Sequence, residues 1–283
     1  MSAMRIVAAS QLERPALVEA FNAGYRGYEV ATHLDEAAFA FMVGLADIDL
    51  DRSVVGYDGA QVAATALLAL RGTRSWIGGM GVPPEFRGRG YGATIMRAAM
   101  ANARDAGARV MHLEVLVDNA PAIRIYEALG FRPVRRLVVW LLEPAATPAS
   151  GAAGTAALVP LDHGAALDLI DHWVTDPAPW QRAPESIAHL PAPPAALGLM
   201  RDGAIAGAIV YRAVPERVSV LALAARAPQA GTTLAALLDG VRSRHPAAPI
   251  RFLNLPEGDP AEAVFTAAGA RAEARQIEMR LEL

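Results

Sequence analysis

Apolar positions along the chain follow two spacings. In the first half, aliphatic and β-branched runs over residues 53–57, 61–70, 75–82, 110–116 and 134–142 have strand length and composition. Apolar residues three and four apart over 11–21, 36–44, 91–106 and 120–129 predict helices instead. Asp58-Gly59, between the first two strand runs, predicts a tight hairpin turn. The order is two helices, a three-strand meander, then helix, strand, helix, strand, which implies an α+β fold with a mixed, largely antiparallel sheet flanked by helices.

The second half repeats this order more weakly. Asp202-Gly203 again separates two apolar runs, 197–200 and 204–211, followed by a strand pattern at 218–223 and a helix pattern at 232–242. The segment from Asp259, "DPAEAVFTAAGARAEARQIEMRL", aligns with "NAPAIRIYEALGFRPVRRLVVWL" from Asn119. Pro121 falls on Pro260, Tyr126 on Phe265 and Gly130 on Gly269, each 139 positions later. This periodicity predicts a tandem duplication. Small residues, proline and glycine crowd residues 143–154, so the expected division is a first domain over 1–146, a linker over 147–154 and a second domain over 155–283.

Composition narrows the function. The 283 residues are 53% hydrophobic, enough for two cores. A net charge of −3 gives no field to draw nucleic acid or an anionic membrane, so neither is expected as a partner. The absence of cysteine excludes disulfides, thiolate metal sites and a thiol nucleophile, and no metal is expected. The N-terminus lacks signal-peptide character, and no apolar run approaches the ~20 residues of a membrane span, so the expected location is cytoplasmic. The oligomeric state is left open.

The chemistry concentrates in "PEFRGRGYGATIM", residues 84–96, where Gly88, Gly90 and Gly92 lie between arginines and the start of a helix. Glycine lets backbone amides approach a ligand, and a helix N-terminus adds unpaired amides and a positive dipole end, so the loop suits phosphate. Arg87 and Arg89 add charge that can be aimed at phosphate oxygens. Gly88-x-Gly90-x-x-Ala93 also meets the spacing of a dinucleotide fingerprint, with Glu114 downstream. Its context fails, because residues 82–87 separate the loop from the preceding strand.

Arg87-Gly88-Arg89-Gly90-Tyr91-Gly92 fits the R/Q-x-x-G-x-G/A acyl-CoA loop, and the chain around it resembles the GNAT N-acetyltransferase superfamily. "HLEVLVDNAPAIRIYEALGF" is similar to that superfamily's L-E-V, N-x-x-A and Y-x-x-x-G-F pattern, especially in the branch that acetylates protein N-termini. The resemblance covers about 60 contiguous residues. It implies acetyl-CoA as co-substrate and a primary amine of a small molecule or peptide as acceptor. It places the pyrophosphate on residues Arg87, Gly88, Arg89, Gly90, Tyr91, Gly92 and Ala93, and the pantetheine arm along Met80 and Val82, on a strand that bulges and splays from its neighbour. Asn119, which should cap a helix, is implied as a further cofactor contact.

By the same resemblance Tyr126 is the acid that protonates the leaving thiolate and Glu114 the general base. Period-two alternation puts Glu114 and His112 on one strand face and Met111, Leu113 and Val115 on the other. The acceptor site is expected in the segment from Phe21 to Met42, with Tyr25, Tyr28 and Glu29 as lining residues. In the second half, residues 224–231 retain one glycine and gain Pro228, while Phe265 lacks a hydroxyl, so a degenerate copy is expected. The alternative function is a non-catalytic acyl-CoA sensor.

Overall fold

A computed structural model describes residues 4–27, 33–144 and 157–283. The expected linker, 147–154, lies outside the described residues. The chain divides into two compact units, Met1–Arg135 with Gln276–Leu283, and Arg136–Arg275. The division therefore differs from a break between residues 146 and 155, because the last strand of each half pairs in the other unit.

Unit 1 contains β1 (Arg5–Ala8), α1 (Arg14–Gly24), α2 (Glu36–Leu45), β2 (Val54–Asp58), β3 (Gln61–Arg71), β4 (Arg74–Gly81), α3 (Tyr91–Asp105), β5 (Val110–Leu116) and α4 (Ala120–Ala128). The next strand, β6 (Arg132–Leu142), leaves unit 1 and pairs in unit 2 from Leu137 onward. Unit 2 continues with β7 (Ala157–Pro160), α5 (His163–Asp171), α6 (Pro184–Ala188), β8 (Ala195–Arg201), β9 (Ala204–Val214), β10 (Arg217–Ala225), α7 (Ala230–Arg244), β11 (Ile250–Pro256) and α8 (Pro260–Ala267). The final strand, β12 (Arg271–Glu282), enters unit 1 from Gln276 onward.

Strand order in unit 1 is β1-β2-β3-β4-β5-β12, and in unit 2 it is β7-β8-β9-β10-β11-β6. In each, the first four strands are antiparallel neighbours, the fifth is parallel to the fourth, and the exchanged strand closes antiparallel to the fifth. The duplication read from the sequence is thus repeated in the pairing. Both first strands escaped the pattern reading, because four-residue edge strands such as "RIVA" and "ALVP" are too short to show a period.

In unit 1, α3 buries Tyr91, Ile95, Met96, Ala99, Met100 and Ala103, a stripe at helical spacing. It packs on a strand made thin by Ala63, Ala64 and Ala66 of β3, all fully buried. Burying Ile95 alone is worth about 1.5–3 kcal/mol. This packing anchors the start of α3 at one end of β4, where the candidate chemistry lies.

Candidate active site

The parallel ladder between β4 and β5 runs only from Arg74↔Val110 to Trp76↔His112. Beyond it, the strands continue to Gly81 and Leu116 without pairing to each other, leaving a wedge-shaped slot. The cause lies in β4, where Gly78 is the extra residue as the β3 register shifts between Leu67 and Leu68. A bulge of this kind bends its strand and increases the twist. Only glycine fits there: a Cβ at Gly78 would lie 2.6 Å from the Trp76 ring, and one at Gly79 would lie 2.6 Å from the Phe21 ring.

From the slot the chain passes through a short turn, Pro84–Phe86, into the glycine loop. Gly88 and Gly90 have φ of 77° and 80°, in the left-handed region where other residues are strained. Gly90 is the N-cap of α3 and offers no side chain to its amides; the first helical N–H to find a carbonyl is that of Thr94, on Gly90 O at 3.2 Å. The amides of Tyr91, Gly92 and Ala93 therefore lack intrahelical acceptors at the positive end of the helix. Met80 and Val82 turn toward this point, with Met80 Cε and Val82 Cγ2 each 3.7 Å from where a Cβ on Gly92 would stand.

Side chains of the loop are used to hold its shape. Arg87 donates from Nε to Val82 O at 3.0 Å and from Nη2 to Arg26 O at 2.8 Å. Arg89 donates to Glu85 O at 3.1 Å and Asp58 Oδ2 at 3.3 Å. Tyr91 donates its hydroxyl to the same Asp58 oxygen at 2.8 Å, and that carboxylate holds the phenol above its usual range. Both arginines, read from the sequence as charge that can be aimed at phosphate oxygens, are thus engaged within the protein.

On β5 the alternation holds, with Met111, Leu113 and Val115 buried in the core against α3 and α4. Glu114 and His112 occupy the other face. Glu114 Oε2 accepts a hydrogen bond from Trp76 Nε1 at 2.8 Å, across the last paired rung before the slot opens. Tyr126 is 6% exposed and lies on the core side, 5.8 Å from the Phe131 ring. Asn119 caps α4, its Oδ1 accepting from the Ala122 amide at 3.2 Å. Tyr25 lies at the end of α1 with its hydroxyl 3.1 Å from where a Cβ on Gly79 would stand, which places it beside β4. Tyr28 and Glu29 lie outside the described residues.

Sequence reasoning missed the partners around Glu114. Glu278 of β12 stands directly opposite it in register, buried at 6% exposure. Arg135 Nε donates to Glu278 Oε2, and His112 Nδ1 lies 3.6 Å from Oε1. Burial pushes the Glu278 carboxyl up, but His112 and Arg135 beside it outweigh that and hold it below the ordinary carboxylate value. A signal existed: "RQIEMRL" places a charge in an alternating strand where β6 carries Val139 at the 139-residue offset.

Unit 2 offers a contrast. Its parallel ladder also stops early, at Val220↔Phe252, and β10 also bulges, at Leu221. Here Arg182, 8% exposed, donates from Nη1 to Leu221 O at 3.1 Å and from Nη2 to Asn254 O at 3.0 Å, with its guanidinium 4.7 Å from the Phe252 ring. The carbonyls of both splayed strands are tied to one side chain of the same unit.

Among the described residues no helix is long and apolar enough to cross a membrane, and no cluster of three His, Asp or Glu side chains is arranged to hold a metal. Residues 10–131 match the model of the Acetyltransferase (GNAT) family. An N-alpha-acetyltransferase of Saccharolobus solfataricus is 32% identical over 118 residues, covering 40% of this chain and 68% of the relative. A GCN5-related N-acetyltransferase from Sphaerobacter thermophilus shares the fold over 99% of this chain and 95% of its own, with a TM-score of 0.74 at 17% identity. A tandem GNAT protein from the clavulanic acid biosynthesis pathway does so over 99% and 98%, with a TM-score of 0.67 at 18% identity. The loop, the slot and these likenesses agree, and the chain belongs to the GNAT family of acetyltransferases.

Proposed function

We propose that unit 1 binds acetyl-CoA and transfers its acetyl group directly to a primary amine of a small molecule or peptide. GNAT acetyltransferases use acetyl-CoA as donor. The open amides at Tyr91 to Ala93 and the glycine-lined slot suit the pyrophosphate and the extended arm of that co-substrate. The observation that carries the reading is the position of Glu114, held by Trp76 where the slot begins and facing away from the core that contains Tyr126.

Glu114 takes the proton from the acceptor nitrogen as that nitrogen forms its bond to the acetyl carbon. A backbone N–H of the unpaired stretch from Met80 to Val82 supports the charge developing on the carbonyl oxygen. As the carbon–sulfur bond breaks, Tyr126 gives its phenolic proton to the departing sulfur. In unit 2, Arg182 occupies the equivalent gap and Phe265 replaces the acid, so we assign no transfer to that copy.

A free-thiol assay with acetyl-CoA and a panel of amines and peptides tests the reading. Gly90→Trp is expected to abolish CoA binding, whereas Tyr126→Phe is expected to spare binding and slow turnover by about 10²-fold or more. Calorimetric CoA binding by the wild-type protein with no turnover on any amine would instead mark a sensor.

A further inference from the structure

The bulge in β4 leaves two adjacent glycines bare, and side chains of unit 1 cover them. A Cβ at Gly78 would stand 2.6 Å from Trp76 Cζ3 and 3.0 Å from Ile48 Cδ1, and one at Gly79 would stand 2.6 Å from Phe21 Cε2. Carbon atoms in contact ordinarily keep about 3.5–4.0 Å apart, so these positions hold no further carbon. Trp76, Ile48 and Phe21 are buried, yet none of them packs in the core against α3. They lie on the other side of the sheet, where the Trp76 indole meets Glu114.

Each covering side chain is fixed in place. Trp76 Nε1 donates to Glu114 Oε2 at 2.8 Å. Phe21 stands edge-on to Phe39 of α2, with ring centres 5.7 Å apart. Ile48 follows Asp47, whose φ of 55° turns the chain and whose Oδ2 accepts from Arg71 Nε at 2.6 Å; Ile48 itself bridges to Ala69 of β3. A left-handed φ outside glycine is strained, and here it delivers Ile48 to the slot. The slot is closed at its end by the rung Trp76↔His112, and on the core side by Ile77 and Leu113.

A thioester whose carbonyl meets the N–H groups from Met80 to Val82, with its diphosphate at the start of α3, points its acyl tail toward Gly79 and Gly78. From Met80 to Gly78 the strand rises ~6.6 Å. An acetyl group ends ~1.5 Å from its carbonyl carbon, whereas an extended hexanoyl group reaches ~6 Å. The longer tail arrives where Trp76 and Ile48 already stand. We infer that Ile48, together with Trp76 and Phe21, is a specificity-determining wall that admits short acyl groups on CoA and rejects hexanoyl and longer ones. The inference rests on unit 1 binding acetyl-CoA through the slot, and not on which amine receives the acetyl group.

Titration calorimetry with CoA, acetyl-CoA and hexanoyl-CoA tests the wall without an acceptor. Wild-type protein is expected to bind CoA and acetyl-CoA alike, and hexanoyl-CoA about tenfold more weakly or worse. Ile48→Val removes the methyl, Cδ1, that stands 3.0 Å from the Gly78 position, and Ile48→Ala removes more of the wall. The ratio of the hexanoyl-CoA and acetyl-CoA Kd values is expected to narrow by about twofold in the first and about fivefold in the second, with the Kd for acetyl-CoA fixed. If Ile48→Ala fails to fold, Ile48→Val decides alone. Equal binding of acetyl-CoA and hexanoyl-CoA by the wild type overturns the inference, as does a ratio that neither variant changes. Absence of CoA binding overturns both the wall and the acetyl-CoA reading. The expected ratios with no amine acetylated uphold the wall and remove the transfer.

Discussion

At the residue scale, the site depends on a few side chains that hold others. Trp76 is buried at 5% exposure, and its indole N–H fixes one oxygen of Glu114 at the mouth of the slot. Trp76→Phe keeps the packing and removes that donor; a hydrogen bond to a charged group is worth about 1.5–3 kcal/mol. Steady-state kinetics are expected to show kcat lowered roughly tenfold with the KM for acetyl-CoA unchanged. Glu278 is legible in stability. Its folded pKa is depressed below the ordinary 4.5, so its contribution is complete above the unfolded value and is lost as the pH falls through the folded one. Urea unfolding between about pH 6 and about pH 3 is expected to show an acid-side loss in the wild type that is smaller in Glu278→Gln.

At the element scale, glycine decides what α1 and β4 can do. A Cβ on Gly24 would lie 2.7 Å from Gly81 Cα, so the helix rests directly on the strand backbone beside the slot. The bulge that opens β4 at Gly78 recurs in β10 at Leu221, yet the two gaps differ in what lies between the strands. In unit 2 Arg182 bridges Leu221 O and Asn254 O, and removing it strands one buried and one partly buried carbonyl. Arg182→Met is expected to lower the stability of the chain by about 3 kcal/mol or more in urea unfolding, on the scale of other lost buried polar networks. Titration calorimetry with CoA is expected to give one site per chain in both proteins.

Most of these elements were legible in sequence. The predicted helix at 36–44 appears at Glu36–Leu45, and the predicted strand at 110–116 at Val110–Leu116, because a long apolar period leaves little choice of element. The glycine loop was legible because left-handed φ at Gly88 and Gly90 demands that residue type. The partners of Glu114 were not. Trp76 and Glu278 lie 38 and 164 positions from it, and only strand register brings them together.

At the scale of the whole molecule, the exchange of β6 and β12 ties each half to the other's fold. Residues Gln276–Leu283 belong to unit 1, where Met279 is buried against the same core as Met111 and Leu113. Deleting 276–283 removes one flank of β5 and exposes that core. The shortened chain is expected to lose CoA binding although the loop from Arg87 to Ala93 is intact, with thermal unfolding and calorimetry as the measurements. A protein of two independent halves would keep it.

The sequence by itself determined the family, the order of the longer elements of the first half, the duplication and the loop, because each rests on local period, backbone conformation or a contiguous motif. Only the tertiary structure decided which strand closes which unit. Pairing across a sheet is set by partners far apart in the chain, and two strands of similar pattern are equally able to fill either edge as far as their own residues show. That choice put Glu278 and Gln276 beside Glu114, and left Arg182 to close the gap in the second copy.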